Sequence, residues 1–265
     1  MKADTPRRAD TTLLRGELRL ADRLDARFFA LLRAIADTGS LNKGARAAGY
    51  SYKGAWLLLE TAHNLAHAQL VVTTRAGSML TPAAHELLAA WHVLAERHAA
   101  FLHEQEAWLL ARPQLAQTLR RLSMKTSARN QFAGTVTSLQ KGPATTLVSL
   151  RIGGDHELVA AIASASATRL KLKRGSEAIA LIKASEIVLV TDFAGYVLSA
   201  RNQLAGTAAR IEKGAVSSIV VVTLPGGSHV TASVTNDAVS ALGLAVGQPA
   251  TAAFKAYAVM LAVAV

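Results

Sequence analysis

The stretch Ser127-Ala-Arg-Asn-Gln-Phe-Ala-Gly-Thr135 occurs twice in this chain, the second time as Ser199-Ala-Arg-Asn-Gln-Leu-Ala-Gly-Thr207, 72 positions later. Eight of the nine residues are identical, and the matches include the polar Arg-Asn-Gln as well as common alanine and glycine. The same offset relates Lys141-Gly142 to Lys213-Gly214, and Lys183-Ala184 to Lys255-Ala256, without any gap. Tandem recurrence of this kind predicts two copies of one unit of about 70 residues.

Both copies have the residue pattern of β-structure. The runs Thr145–Ile152 and Ser218–Leu224 are rich in Val, Leu, Ile and Thr, and each leads through a glycine turn into another strand-like run. A small, Ala- and Ser-rich stretch follows, and then two more apolar runs. Five short strands with one helical turn predict a small OB-like β-barrel for each copy.

The first half of the chain is predicted to be a winged helix-turn-helix. Apolar residues at helical spacing give one helix over Asp25–Ala36, and Ser40 can cap a second helix over Leu41–Ala48. A third helix is predicted from Ser51 to about residue 70, then a short β-hairpin over 71–81 and a long helix from Pro82 to about residue 111. The order of these elements favours DNA binding over a helical core with a solvated basic face.

The predicted third helix begins with groups suited to nucleic acid. Its first turn faces base edges, and helix N-terminal amides favour phosphate, while the wing is placed for sugar–phosphate contacts. The predicted DNA-contacting residues are Ser40, Asn42, Lys43, Ser51, Tyr52, Lys53, Arg75 and Ser78.

The long helix carries an apolar stripe at heptad-like spacing, formed by Leu87, Trp91, Leu94, Phe101 and Trp108. Such a stripe predicts a homodimer seam, which an operator with two-fold symmetry needs. Packing within one chain is the alternative.

Composition narrows the classes of function. The 265 residues include no cysteine, which excludes disulfides, zinc thiolate sites, iron–sulfur clusters and cysteine nucleophiles. A formal net charge of +11 favours a polyanionic or oxyanionic partner. No apolar run follows Arg7 and Arg8, and the apolar stretch Ala256–Val265 is about half as long as a membrane span, so a soluble cytoplasmic protein is predicted.

No arrangement typical of an enzyme or a metal site stands out in the sequence. There is no Ser/His/Asp order, carboxylate pair or phosphate-binding glycine loop, so the chain is predicted not to be an enzyme. His63 and His67 lie one helical turn apart but have no further ligand nearby, so a solvated helix face explains them better than a metal.

The repeat also carries hydrogen-bond donors without any carboxylate. Ser127 and Arg129 are two residues apart, hence on one side of an extended chain, and Lys183-Ala184 supply an ammonium and a backbone amide. Ser166 and Arg169 add two more donors on the small-residue turn. Donors of this kind suit a fully ionised tetrahedral oxyanion.

Both halves of the chain resemble ModE-type molybdate-responsive regulators. The runs Gly39-Ser-Leu-Asn-Lys-Gly-Ala45 and Ser51-Tyr-Lys-Gly-Ala-Trp56 are similar to their LysR-like DNA-binding module, and the Ser-Ala-Arg-Asn-Gln and Leu181-Ile-Lys-Ala184 runs to their tandem Mop domains. The resemblance implies that molybdate, or tungstate, sits between Mop units of two subunits. It implies a site formed by Ser127, Arg129, Ser166, Arg169, Lys183 and Ala184, and a second at Ser199, Arg201, Thr235 and Lys255.

One departure from the family pattern concerns Ala163, where members often have Thr; either a hydroxyl donor is missing or Ser164 replaces it. The second copy has Thr235 at this position but Ala238 and Ala241 in place of Ser166 and Arg169. The second copy is therefore a weaker site, a mate that completes the first, or a structural remnant.

These inferences give an α+β, multidomain organisation. We predict a DNA-binding and dimerisation domain at 1–111, a linker at 112–126, and Mop domains at 127–192 and 193–265. The implied function is a molybdate-sensing transcriptional regulator that represses molybdate-transport genes. The alternative is an intracellular molybdate-binding or storage protein whose N-terminal domain only assembles oligomers.

Overall fold

The computed structural model describes residues 12–66 and 68–264 of the chain. The segment considered for a signal peptide, His67 and Val265 lie outside these described residues. The fold is the predicted mixture of α and β, with a helical N-terminal unit and a β-rich C-terminal unit that meet in sequence between Leu119 and Arg120. Within the described ranges, no helix has the length and apolar character to cross a membrane.

The N-terminal unit is a winged helix-turn-helix with the predicted order of elements. These are α1 (Ala26–Thr38), α2 (Leu41–Ala47), α3 (Tyr52–Ala66), β1 (Val71–Thr74), β2 (Gly77–Leu80) and α4 (Pro82–Leu110). Helix α1 begins where the Asp25 carboxylate accepts two backbone amides, and α4 begins where the Thr81 hydroxyl accepts the amide of Ala84. The ends of α1 and α2 and the start of α3 differ from the prediction by one or two residues, while α3 ends before residue 70 and Thr81 caps a helix instead of ending a strand.

Helix α4 packs against the core of the N-terminal unit near its beginning. The Trp91 ring stacks on Phe29, with 4.2 Å between centroids and 8° between planes, and Leu87 packs on the same core. At these two positions of the predicted dimer seam the structure therefore shows packing within one chain, which leaves both side chains half-buried. The other three seam residues remain exposed, Leu94 by 38%, Phe101 by 57% and Trp108 by 51%.

A short helix, α5 (Pro113–Ser123), occupies most of the segment predicted as a linker. Helix α4 ends before Pro113, and a proline at the first position of a helix favours a new start. Helix α5 crosses the division between the two units, so its last turn, from Arg120 onward, belongs to the C-terminal unit.

The C-terminal unit contains both copies of the repeat, each with five strands and one helical turn as predicted. The first copy forms β3 (Asn130–Lys141), β4 (Thr145–Ile152), β5 (Glu157–Ala163), α6 (Ser164–Arg169), β6 (Glu177–Ile182) and β7 (Val188–Val190). The second forms β8 (Asn202–Lys213), β9 (Ser217–Thr223), β10 (His229–Thr235), α7 (Asn236–Ala241), β11 (Pro249–Phe254) and β12 (Met260–Ala262).

The two copies exchange their last strands. The strand orders are β12-β6-β3-β4-β5 in one sheet and β10-β9-β8-β11-β7 in the other. Thus β12 of the second copy pairs with β6 of the first, with Met260 opposite Leu181, and β7 pairs with β11, with Val190 opposite Thr251. The predicted domains 127–192 and 193–265 are therefore two copies in sequence but not two separately closed sheets, and one apolar core runs through both.

Candidate oxyanion and DNA-binding sites

Strand pairing brings four predicted oxyanion ligands to one end of the first sheet. Strands β3 and β6 are antiparallel, with Asn130 opposite Ile182 as the last pair of the ladder. Arg129 and Lys183 therefore lie beside each other just beyond this end. Ser127 precedes this end of β3, and the buried Ala184 begins the turn after β6. We call Ser127, Arg129, Lys183 and Ala184 the first half-site.

The remaining two predicted ligands lie at the other end of the same sheet. Ser166 and Arg169 are on α6, which follows β5, and β5 ends at Ala163 opposite Thr145. Helix α6 therefore lies at the end of the sheet where β3 finishes, and β3 is 12 residues long. An extended strand of that length spans roughly 40 Å, and a bulge between Val136 and Ser138 shifts its register with β4. One copy alone therefore does not gather all six residues around a small anion.

The second copy repeats the half-site geometry. Phe254 pairs with Asn202, which sets Arg201 beside Lys255 at the end of the β8–β11 ladder. Thr235, also predicted for this site, caps α7 by accepting the amide of Ala238 at 3.2 Å. We call Ser199, Arg201, Lys255 and Ala256 the second half-site, whose residue types match those of the first.

Ser164 does not replace the hydroxyl missing at Ala163. Its Oγ donates to the carbonyl of Gly142 at 2.8 Å and lies 2.9 Å from the Thr146 hydroxyl. The second copy has the same network, in which Asn236 bonds Ser218 and the carbonyl of Gly214. Ser164 is thus a structural residue of the repeat.

Two asparagines that sequence reasoning missed join the copies. The buried Asn130 side chain accepts the amide of Thr231 at 2.7 Å and donates to its carbonyl at 2.8 Å. Asn202 binds Val159 in the same way, at 2.7 and 2.9 Å. The repeated Ser-Ala-Arg-Asn-Gln motif, which contains both asparagines, was the signal that could have found them. Each asparagine follows a half-site arginine in sequence. The hydrogen bonds between the copies therefore also hold the backbone next to that arginine in place.

The half-sites present positive charge that no described carboxylate neutralises. Arg129 and Lys183 are exposed, and no carboxylate among the described residues lies within salt-bridge distance of either. The same holds, within those ranges, for Arg201 and Lys255. Two unpaired cations with nearby neutral donors can bind a small dianion.

The first turn of α3 presents the predicted DNA-contacting residues. Tyr52 is 55% exposed, and Lys53 and Arg75 are also exposed. The hydroxyls of Ser40 and Ser51 cap α2 and α3 through the amides of Lys43 and Gly54, so both serine hydroxyls already serve the helices. Asn42 and Lys43 lie exposed on α2. Sequence reasoning missed Trp56, which is 49% exposed one turn after Tyr52 on α3.

Ser78 was wrongly predicted as a wing contact. It is 4% exposed, its Oγ accepts the amide of Leu41 at 3.3 Å, and its own amide donates to the carbonyl of Gly39 at 2.8 Å. Ser78 therefore fastens the wing to the turn between α1 and α2. A polar residue was assigned to the surface, although in this hairpin its side chain points inward and is satisfied there.

A cleft of about 480 Å³ separates α3 from the wing. It is lined by Leu41, Trp56, Leu59, Glu60, His63, Asn64, Ala68, Gln69, Val71 and Thr73. The His63 Nε2 accepts the amide of Val71 at 3.1 Å, which ties the end of α3 to the first strand of the wing. In the described part of the chain, no group of three or more His, Cys, Asp or Glu side chains could hold a metal ion.

We expect acid to destabilise the N-terminal unit through His63. Burial lowers the pKa of His63, and nearby Glu60 opposes this shift only in part. The unfolded chain therefore binds the proton more readily, so stability is complete above the ordinary histidine pKa of about 6.5 and falls as the pH drops below it. A protonated ring also cannot accept the Val71 amide, a bond of about 0.5–1.5 kcal/mol.

Thermal melts followed by tryptophan fluorescence test this expectation, because all three tryptophans lie in the N-terminal unit. The melting temperature of the wild type should fall between about pH 8 and pH 5, and His63→Gln should reduce that fall. Equal falls in both proteins would contradict the role assigned to His63.

Comparison with known proteins agrees with this geometry. The TOBE domain family matches residues 126–189 and 198–261, which are the two copies of the repeat. The molybdenum transport protein ModE of Herbaspirillum seropedicae is 62% identical over 96% of this chain and 96% of its own length. The chain belongs to the ModE family. The DNA-binding transcriptional dual regulator ModE of Escherichia coli (strain K12) is 35% identical over 90% of this chain and 92% of its own.

A solved structure resembles the C-terminal unit of this ModE-family chain. It is the cytoplasmic molybdate-binding protein ModG with molybdate bound, with a TM-score of 0.53 and 45% identity. The match covers 53% of this chain and all of ModG. The ModE family is thus supported along both units, and the molybdate-bound relative corresponds in size to the pair of copies.

Proposed function

We propose that the chain is a cytoplasmic, homodimeric, molybdate-sensing transcriptional regulator. The observation that carries this proposal is that a winged helix-turn-helix and two donor-rich half-sites occur in one chain. The names of its relatives support it, since they include a DNA-binding dual regulator and a protein solved with molybdate. The liganded dimer binds a palindromic operator of molybdate-transport genes and represses them. Tungstate, a tetrahedral dianion of the same shape, binds at the same site.

The half-site chemistry matches a tetrahedral dianion. Arg129 and Lys183 supply two positive charges against two negative ones, and charge-assisted hydrogen bonds are the strong ones. The Ser127 hydroxyl and the amide at Ala184 supply neutral donors that set the geometry. All four oxygens of such an anion accept hydrogen bonds, so a site without carboxylates is appropriate.

A second subunit completes the site. Helix α6 lies at the far end of β3 from the first half-site, so Ser166 and Arg169 do not reach Arg129 and Lys183 of their own chain. Ser166 and Arg169 of the partner subunit approach these two cations instead. The exposed stripe of α4 at Leu94, Phe101 and Trp108 forms the dimer contact that holds the two chains together. An anion bound between chains stabilises one dimer arrangement, which changes the separation of the two α3 helices and hence operator affinity.

Mixed dimers test whether the site is shared between chains. A dimer of one Arg129→Ala chain with one Arg169→Ala chain contains one site in which both defects meet and one site that is intact. We therefore expect half of the wild-type number of high-affinity sites by calorimetric titration with molybdate, although each homodimeric variant binds weakly.

The matched control is a mixed dimer of Arg129→Ala with Lys183→Ala chains. Both substitutions lie in the same half-site, so each of the two sites keeps one defect and no high-affinity binding should return. If the first mixed dimer also fails to recover, the ligands do not come from two chains.

Helix α3 is the element that we propose reads the operator. We expect Lys53→Ala and Tyr52→Ala to weaken operator binding by roughly 1–3 kcal/mol where a base-edge contact is lost. Molybdate affinity should not change, because the half-sites lie in the other unit. Fluorescence anisotropy with labelled operator DNA over a range of salt concentrations measures the loss. Lys213→Ala, which removes an equal charge from β8, serves as control, and wild-type operator binding by both α3 variants would refute the assignment.

A further inference from the structure

The last turn of helix α5, which belongs to the C-terminal unit, forms an ion pair with a strand of that unit. Arg121, in the last turn of α5, donates to the carboxylate of Glu177, the first residue of β6. The two side chains are 34% and 43% exposed. They line a cavity of about 340 Å³ together with Arg151 and the backbone of β3 near Gly134 and Thr135.

The same strand connects this anchor to the first half-site. Strand β6 pairs with β3 over its whole length, from Glu177 opposite Thr135 to Ile182 opposite Asn130. The ion pair therefore lies at one end of this ladder, and Lys183 and Arg129 lie just beyond the other end. A fully hydrogen-bonded strand pair moves as one element, so a displacement at the half-site reaches Glu177.

In the second copy of the repeat, the same half-site geometry occurs without the ion pair. At the offset of 72, Arg121 corresponds to Phe193, Arg151 to Thr223 and Glu177 to Pro249. The second copy thus keeps the half-site arginine and lysine but has none of these three charges. The charges occur only in the copy to which α5 is attached.

We propose that Arg121 and Glu177 are positioning residues that couple anion binding to the helix leading to the DNA-binding unit. This inference rests on the proposed function and adds the route by which the site regulates it. Linkage requires the ion pair to differ in strength between the liganded and free arrangements. A partly exposed pair adds little to overall stability, so its loss should leave the fold and the anion site intact while weakening the coupling.

The experiment compares operator affinity with and without molybdate, and separately molybdate affinity without DNA. For the wild type, we expect molybdate to change operator affinity by about 5- to 150-fold, the usual range for allosteric coupling. Arg121→Ala and Glu177→Gln should bring this ratio close to one without a matching loss of molybdate affinity. The charge-swapped protein, Arg121→Glu with Glu177→Arg, should recover most of the ratio.

The control is Glu212→Gln, which breaks the exposed Arg210–Glu212 pair of β8, at 3.0 Å, away from α5. A wild-type ratio retained in the Arg121 and Glu177 variants would overturn this inference alone. So would a charge swap that recovers nothing, or variants that lose molybdate affinity in proportion to the ratio. A wild-type ratio of one would overturn the proposed function and this inference with it.

Discussion

Arg129→Ala and Lys183→Ala are each expected to reduce molybdate affinity by roughly 2–5 kcal/mol, the cost of removing one partner from a desolvated charge pair. Ser127→Ala should cost only about 0.5–1.5 kcal/mol, because it removes one neutral hydrogen bond. The difference arises because each cation offsets one of the two charges of the dianion. Calorimetric titration of the three variants measures the ranking.

The second half-site provides the comparison. Arg201→Ala and Lys255→Ala should reduce molybdate affinity less, because α7 carries Ala238 and Ala241 where α6 carries Ser166 and Arg169. If Arg201→Ala proves as damaging as Arg129→Ala, the two copies bind equally and the ranking is wrong. If none of these changes alters binding, the repeat serves structure only.

A chain that ends at Ala258 is expected to lose much of the stability of its C-terminal unit. The truncation removes the buried Val259, together with Leu261 and Val263, which pack on the shared core. Burying a side chain of this size contributes about 1.5–3 kcal/mol, so the loss is several kcal/mol out of a typical total of about 5–15 kcal/mol. Urea unfolding followed by far-ultraviolet circular dichroism measures it, and tryptophan fluorescence reports the N-terminal unit separately.

The exchange of strands makes this prediction specific. Although β12 belongs to the second copy, its removal should accelerate amide hydrogen exchange in β6 of the first copy, opposite Met260 and Ala262. A chain ending at Val263 keeps β12 and is the matched control. Equal urea midpoints for the two chains, or faster exchange confined to the second copy, would contradict the observed pairing.

The sequence predicted individual elements well but not the sheet that each strand joins. The Val- and Leu-rich runs and their glycine turns correctly indicated five strands per copy. The pattern of β12 is the same whether it pairs with β11 or with β6, because alternation reports which face is buried and not which neighbour is bonded. The exchange is seen only in the observed registers, with Met260 opposite Leu181 and Val190 opposite Thr251.

The site was predicted only in part, again because the sequence does not show how the strands are arranged in the sheet. Repetition identified Arg129 and Lys183, and the β3–β6 register brings them together. Ser166 and Arg169 lie far from them because the connection through β5 returns the chain to the opposite end of the sheet. Helical spacing alone also could not tell that Trp91 stacks on Phe29 within one chain while Phe101 stays exposed.

The central claim is that this ModE-family chain binds DNA in response to molybdate, and operator affinity measured under three conditions tests it most directly. The DNA is a duplex enriched from a random-sequence pool by the wild-type protein with molybdate present. The conditions are molybdate, sulfate at equal concentration, and no added anion. We predict that molybdate changes affinity by about 5- to 150-fold, that sulfate has little effect, and that Arg129→Ala abolishes the molybdate effect. Equal affinity under all three conditions, or failure of the protein to enrich any sequence, would contradict the account.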